Sequence, residues 1–208
     1  MSAIPIKRIS PAEYFALDRA AEGRSDYYHG EIFAMAGASK THNRIVRNLL
    51  VAIENRLRKN LRRCEAFSQD MRVEVDAERH YSFPDIVAVC GKFEFLDDQE
   101  DTLLNPTMIT AVLSDSTESY DRGLKFENYW SVPSLQEYVL VSQHRPLVQR
   151  FLRQADNTWL LTNFESLNES AVFTSIDVAI PLSEIYLDVE FPDEQPIRLQ
   201  TDPDGKKS

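Results

Sequence analysis

The chain has 208 residues, of which 43% are hydrophobic and 27% charged, and its formal net charge is −10. That length builds one sizeable hydrophobic core, and the composition is that of a globular protein rather than a fibrous, low-complexity or repeat chain. The acidity excludes a nonspecific coat for nucleic acid or anionic lipid, and no stretch approaches the ~20 apolar residues of a membrane span.

From Met1 to Pro11 no apolar run follows the basic residues, so no secretory signal is expected and a cytoplasmic location is. Ser10-Pro11 ahead of AEYFALDRAA predicts a capped first helix with proline at its first position. SDYYHGEIFAMAG predicts two short strands turning at His29-Gly30. Gly37 to Thr41 reads as a turn, with Thr41 capping a long helix in which Ile45, Leu49, Ile53 and Leu57 fall at helical spacing. Arg44, Arg47, Arg58 and Arg62 lie largely on its other side, as either a solvated basic face or one turned towards phosphates. Acids dominate the segment that follows, from Asp70 to Asp101.

After Arg63 the period changes. CEAFSQ, DMRVEVD, FPDIVAVC and MITAVLS have strand character, with DDQEDTLLNP a loop between the last two. Cys64 and Cys90 form no CxxC pair, and Cys90, closing an apolar run, is expected to be a buried free thiol outside any disulfide or zinc site. ESYDRGLKFENYW predicts a helix; EYVLV, PLVQRFLRQ and TWLLTNF predict strands, the last two a hairpin across Gln154 to Asn157. IPLSEIY predicts a short closing helix, and the polar tail from Asp193 to Ser208 has little to bury. The expected fold is α/β: one mixed sheet flanked by helices, in a single domain over residues 1–192, with 193–208 a flexible tail. PDIVAV and ITAVL, apolar on both faces, belong inside that sheet.

Asp85 opens an otherwise apolar strand, where an acid is costly to bury unless it is paired or binds a cation. Taken alone, it reads equally as an exposed strand-end acid. The run AVLSDSTESYDRGLKFENYW, followed by VPSLQEYVLV, is more specific. Together with YYHGEIFAMAGASKTHNRI and FPDIVAV, it resembles the Uma-two restriction endonucleases of the PD-(D/E)XK superfamily, over nearly the whole ordered chain.

The resemblance implies a restriction-endonuclease-like fold that hydrolyses DNA with Mg²⁺ or Mn²⁺ held by two carboxylates on neighbouring strands. Asp85 matches the acid of the PD element. The second acid should begin E-V-L-S, but this chain reads Ala111-Val112-Leu113-Ser114, and a methyl cannot bind a metal. The family's lysine is displaced to the next helix, which makes Lys125 its counterpart; its bland alternative is a helix-surface ion pair with Asp121. Glu31 matches an early GE element as a further metal or water ligand, or is a hairpin-edge acid. Asp70 is a weaker candidate for the site. His42 reads as a helix-end hydrogen bond, and Asp115 and Asp121 as turn and cap residues. Ala111 marks either a disabled variant or a naturally degenerate relative, and cleavage is expected to be impaired.

The competing reading is a noncatalytic nucleic-acid- or protein-binding module on the same scaffold. A homodimer is plausible by family analogy. An esterase is excluded by the lack of GxSxG, and a zinc hydrolase by the absence of HExxH-like spacing among His29, His42, His80 and His144.

Overall fold

The computed structural model describes residues 8–35, 37–60, 63–76, 79–114 and 118–191. Arg62, Asp115 and the 193–208 tail lie outside the described residues. Ser10 caps α1 (Pro11–Ala20) through a reciprocal pair with Glu13, each satisfying an N–H that the helix leaves free. β1 (Ser25–Tyr28) and β2 (Glu31–Ala34) form the expected hairpin, with His29 and Gly30 both at positive φ. A side chain at Gly30 would also meet Arg8, whose Cβ would stand 2.7 Å from the added Cβ.

α2 (Lys40–Leu57) starts earlier than expected: Ser39, not Thr41, is its cap, accepting from the His42 N–H at 3.0 Å. Ile45, Leu49, Ile53 and Leu57 are all buried, each worth roughly 1.5–3 kcal/mol of apolar burial. The stripe packs on a six-stranded sheet ordered β11-β10-β9-β8-β6-β3. Its strands are β3 (Cys64–Ser68), β6 (Ile86–Cys90), β8 (Met108–Val112), β9 (Glu137–Val141), β10 (Val148–Arg153) and β11 (Trp159–Phe164). β6 and β8 are interior, as their two-faced apolarity requires.

This six-stranded sheet is the expected mixed sheet, and two smaller sheets accompany it. β2, β1, β5 (His80–Ser82), β4 (Arg72–Asp76) and β7 (Thr102–Leu103) form a second sheet, and β7 lies inside the stretch expected to be loop. β12 (Ser170–Phe173) pairs with β13 (Val178–Pro181) in a third, followed by α5 (Leu182–Ile185). α2, β12, β13 and α5 cover one face of the large sheet; Val73 and Val75 from the second sheet, with Phe126 and Tyr129, cover the other.

Two further expectations are corrected. The single helix expected after β8 is broken at Gly123 into α3 (Glu118–Arg122) and α4 (Leu124–Tyr129). Cys64 and Cys90 form a disulfide, because β3 and β6 pair with these two residues directly opposite, their Cα atoms 4.0 Å apart. Linear spacing carries no information about that cross-strand register. Among the described residues, no helix is long and apolar enough to cross a membrane.

Candidate functional site

β6 and β8 run antiparallel with Ile86 opposite Thr110. One residue further along that register, Asp85 faces Ala111, and its Oδ2 accepts a 2.7 Å hydrogen bond from the Val112 N–H. Oδ1 lies 2.8 Å from His42 Nε2 and accepts from the Gln69 amide at 3.1 Å. The Asp85 side chain is only 14% exposed. Burial pushes its carboxyl up, but the His42, Val112 and Gln69 donors outweigh burial and hold it below the usual carboxylate range.

Asp85 and Ala111 lie in a cleft of about 1270 Å³ that is also lined by Glu31, His42 and Lys125. Lys125 Nζ stands 3.5 Å from Asp121 Oδ1, with the two side chains 11% and 5% exposed. The pair with Asp121 is therefore buried in the cleft wall, not on a helix surface. Burial alone would lower the lysine's pKa; Tyr129, Asp26 and Asp121 around it raise it well above its ordinary value, so it stays cationic. Asp26 accepts from the Phe83 N–H at 2.9 Å. Burial raises its carboxyl above the usual range, against the opposing pull of Lys125 and that N–H.

The cleft thus gathers Asp85, Ala111, Lys125 and Glu31. It does not gather the arginines proposed from the sequence. Arg44 donates to the Asp188 carbonyl, Arg47 to the Asn48 side chain, and Arg58 pairs with Glu54 at 3.5 Å. None of the three lines the cleft; its arginine is Arg8. Asp70 is 82% exposed and pairs with Arg24 at 3.4 Å, away from the cleft lining. Sequence reasoning missed Asp26 and Gln69 and gave His42 too small a part. An acid within a short strand, just ahead of Tyr27-Tyr28, was the available signal for Asp26. Gln69 carried none.

The residues present do not fit a divalent ion held in the way of paired strand carboxylates. Three protein donors already take the Asp85 oxygens, and position 111 offers a methyl. Among the described residues, no group of three or more His, Cys, Asp and Glu side chains is placed to hold a metal.

A family model described as "Uma2: Putative restriction endonuclease" matches residues 11–183. "Uncharacterized protein sll1609" of Synechocystis sp. is 33% identical over 172 residues, covering 83% of this chain and 96% of that protein. "Uncharacterized protein slr1290" of the same organism is 30% identical over 187 residues, covering 90% and 96%. The crystal structure of "a putative nuclease belonging to DUF820" from Anabaena variabilis superposes with a TM-score of 0.69 at 17% identity, covering 86% of this chain and 97% of that one. That likeness establishes the shared fold. Because the family match runs through Asp85, Ala111 and Lys125 alike, the chain belongs to the Uma2 family of putative restriction endonucleases.

Proposed function

We propose that the chain is an endonuclease-type domain that engages DNA in the Asp85 cleft, with phosphodiester hydrolysis impaired by Ala111. The observation that carries this reading is that Asp85, immediately before β6, accepts from the Val112 N–H beside Ala111 on the adjacent β8, in a cleft that Lys125 also lines. Lys125 is a buried cation suited to meet a phosphate oxygen, and Glu31 a carboxylate suited to hold water. Mg²⁺ or Mn²⁺ would require a carboxylate at position 111 beside Asp85, so no step through a metal is assigned to the chain as it stands. A homodimer would present two such clefts to one nucleic acid.

The test is Ala111→Glu, assayed for Mn²⁺ binding by calorimetry and for cleavage of plasmid DNA. Restored metal binding with faster cleavage supports the reading; no change in either overturns it. A second reading, a noncatalytic binding module, is favoured by the protein donors that hold both Asp85 oxygens. It predicts that Ala111→Glu stays inactive while the chain still binds nucleic acid in a salt-sensitive way.

A further inference from the structure

The β1–β2 hairpin pairs Asp26 with Phe33 and Tyr28 with Glu31 across its two strands. Side chains on a strand alternate between faces, so these four share one face. All four line the cleft. One wall therefore sets an aromatic ring beside a carboxylate twice, at cross-strand distances of roughly 5 Å between Cβ atoms. Tyr120 and Leu124 line the cleft from α3 and α4. Phe33 is 50% and Leu124 41% exposed, so apolar surface faces the opening.

The charge of the cleft runs against a polyanion. Asp26, Glu31, Asp85, Asp121 and Glu190 outnumber Arg8 and Lys125. Lys125 can meet a single phosphate oxygen beside its partner Asp121, and Arg44, Arg47 and Arg58 do not line the cleft. A duplex backbone needs many phosphate neutralisations, and this cavity does not offer them. A neutral base suits it better: aromatic faces stack on bases, and carboxylates accept hydrogen bonds from exocyclic amines.

We infer that the cleft takes an unpaired, amine-bearing nucleobase of a single strand, stacked against Tyr28 and Phe33 with its amine towards Glu31 or Asp26. This rests on the nucleic-acid reading above and narrows its substrate to single-stranded DNA or RNA. Cytosine and adenine carry the required amine; thymine and uracil do not.

The test is fluorescence anisotropy in EDTA with labelled oligo-dC, oligo-dA, oligo-dT, the matching RNAs and a duplex of equal length. Single strands should bind about tenfold or more tightly than duplex, and dC and dA severalfold more tightly than dT. The salt slope should report only one or two phosphates. Phe33→Leu and Tyr28→Leu should each weaken single-strand binding about fivefold to hundredfold, the range of a base–aromatic stack. The DNA and RNA arms identify the source of the strand. Phe33 is half exposed, so its variant tests the inference even if Tyr28→Leu disturbs the fold. Equal or tighter duplex binding, indifference to base identity, or a Phe33 variant that binds unchanged overturns the inference. If these occur while Ala111→Glu gains metal binding and cleavage, the endonuclease reading stands alone; if no oligonucleotide binds and Ala111→Glu is inert, both fall.

Discussion

His42 Nε2 lies 2.8 Å from Asp85 Oδ1, so the first turn of α2 grips the acid that leads into β6. Removing that grip leaves a mostly buried carboxylate short of a donor. His42→Ala should therefore destabilise the fold by about 1–3 kcal/mol in urea unfolding, and His42→Gln, which restores an N–H donor, should recover part of the loss. Equal stability of all three proteins would show that the contact contributes nothing.

Asp85 makes stability depend on acid. Its folded pKa lies below the unfolded value, so its contribution is fully present above the unfolded pKa of about 3.9 and is lost as pH falls through the folded one. Below the unfolded pKa, the melting temperature of the wild type should drop more steeply with acid than that of Asp85→Asn. Parallel curves would argue against a depressed Asp85.

Ala111 is 3% exposed, and a glutamate there would stand close to Asp85 in the cleft wall. Without metal, Ala111→Glu should melt lower than the wild type, because two close carboxylates repel. Added Mn²⁺ should stabilise the variant by about 2.7 kcal/mol at a hundredfold excess over its Kd and leave the wild type unmoved. Differential scanning fluorimetry across a metal titration reads both.

Lys125 keeps Asp121 company where neither side chain sees much water. Lys125→Met would strand that carboxylate, at a cost of about 3–5 kcal/mol. Asp26 faces the same cation and already binds protons more readily than usual, so the variant should regain stability on mild acidification. A variant as stable as the wild type at neutral pH would remove Lys125 from any ion-pairing role.

The Cys64–Cys90 bridge closes a loop of 26 residues in sequence separation. Thiol titration of the unfolded, unreduced chain should find no free sulfhydryl, and reduction should cost about 3 kcal/mol of stability. Two titratable thiols in freshly prepared protein would refute the bridge.

Local pattern carried much of the fold. The α2 stripe, the His29-Gly30 turn and the two-faced apolar runs of β6 and β8 all declare themselves through periodicity or turn chemistry. What periodicity does not carry is partnership between distant segments. β5 is too short to show a period, β7 hides in acidic sequence, and the division into three sheets depends on which edges meet. The cysteine pairing was hidden for the same reason. At the site, Asp85, Ala111 and Lys125 were legible because family resemblance supplied their partners. Asp26 and Gln69 come from other segments and are recruited only by three-dimensional proximity. On the basic side of α2, Arg44, Arg47 and Arg58 contact a carbonyl, an amide and a glutamate outside the cleft, a placement that composition did not foretell.

The break between α3 and α4 falls at Gly123, with φ −109° and ψ −103°. A Cβ there would crowd the Ser119 carbonyl at 3.1 Å. An unbroken helix would advance each residue by a fixed turn and so couple the heading of Lys125 to that of Tyr120. α4 begins afresh after the joint, and in it Lys125 lines the cavity while Phe126 and Tyr129 pack against the sheet. The cavity wall thus turns a corner at a residue with little room for a side chain, two positions before its buried cation.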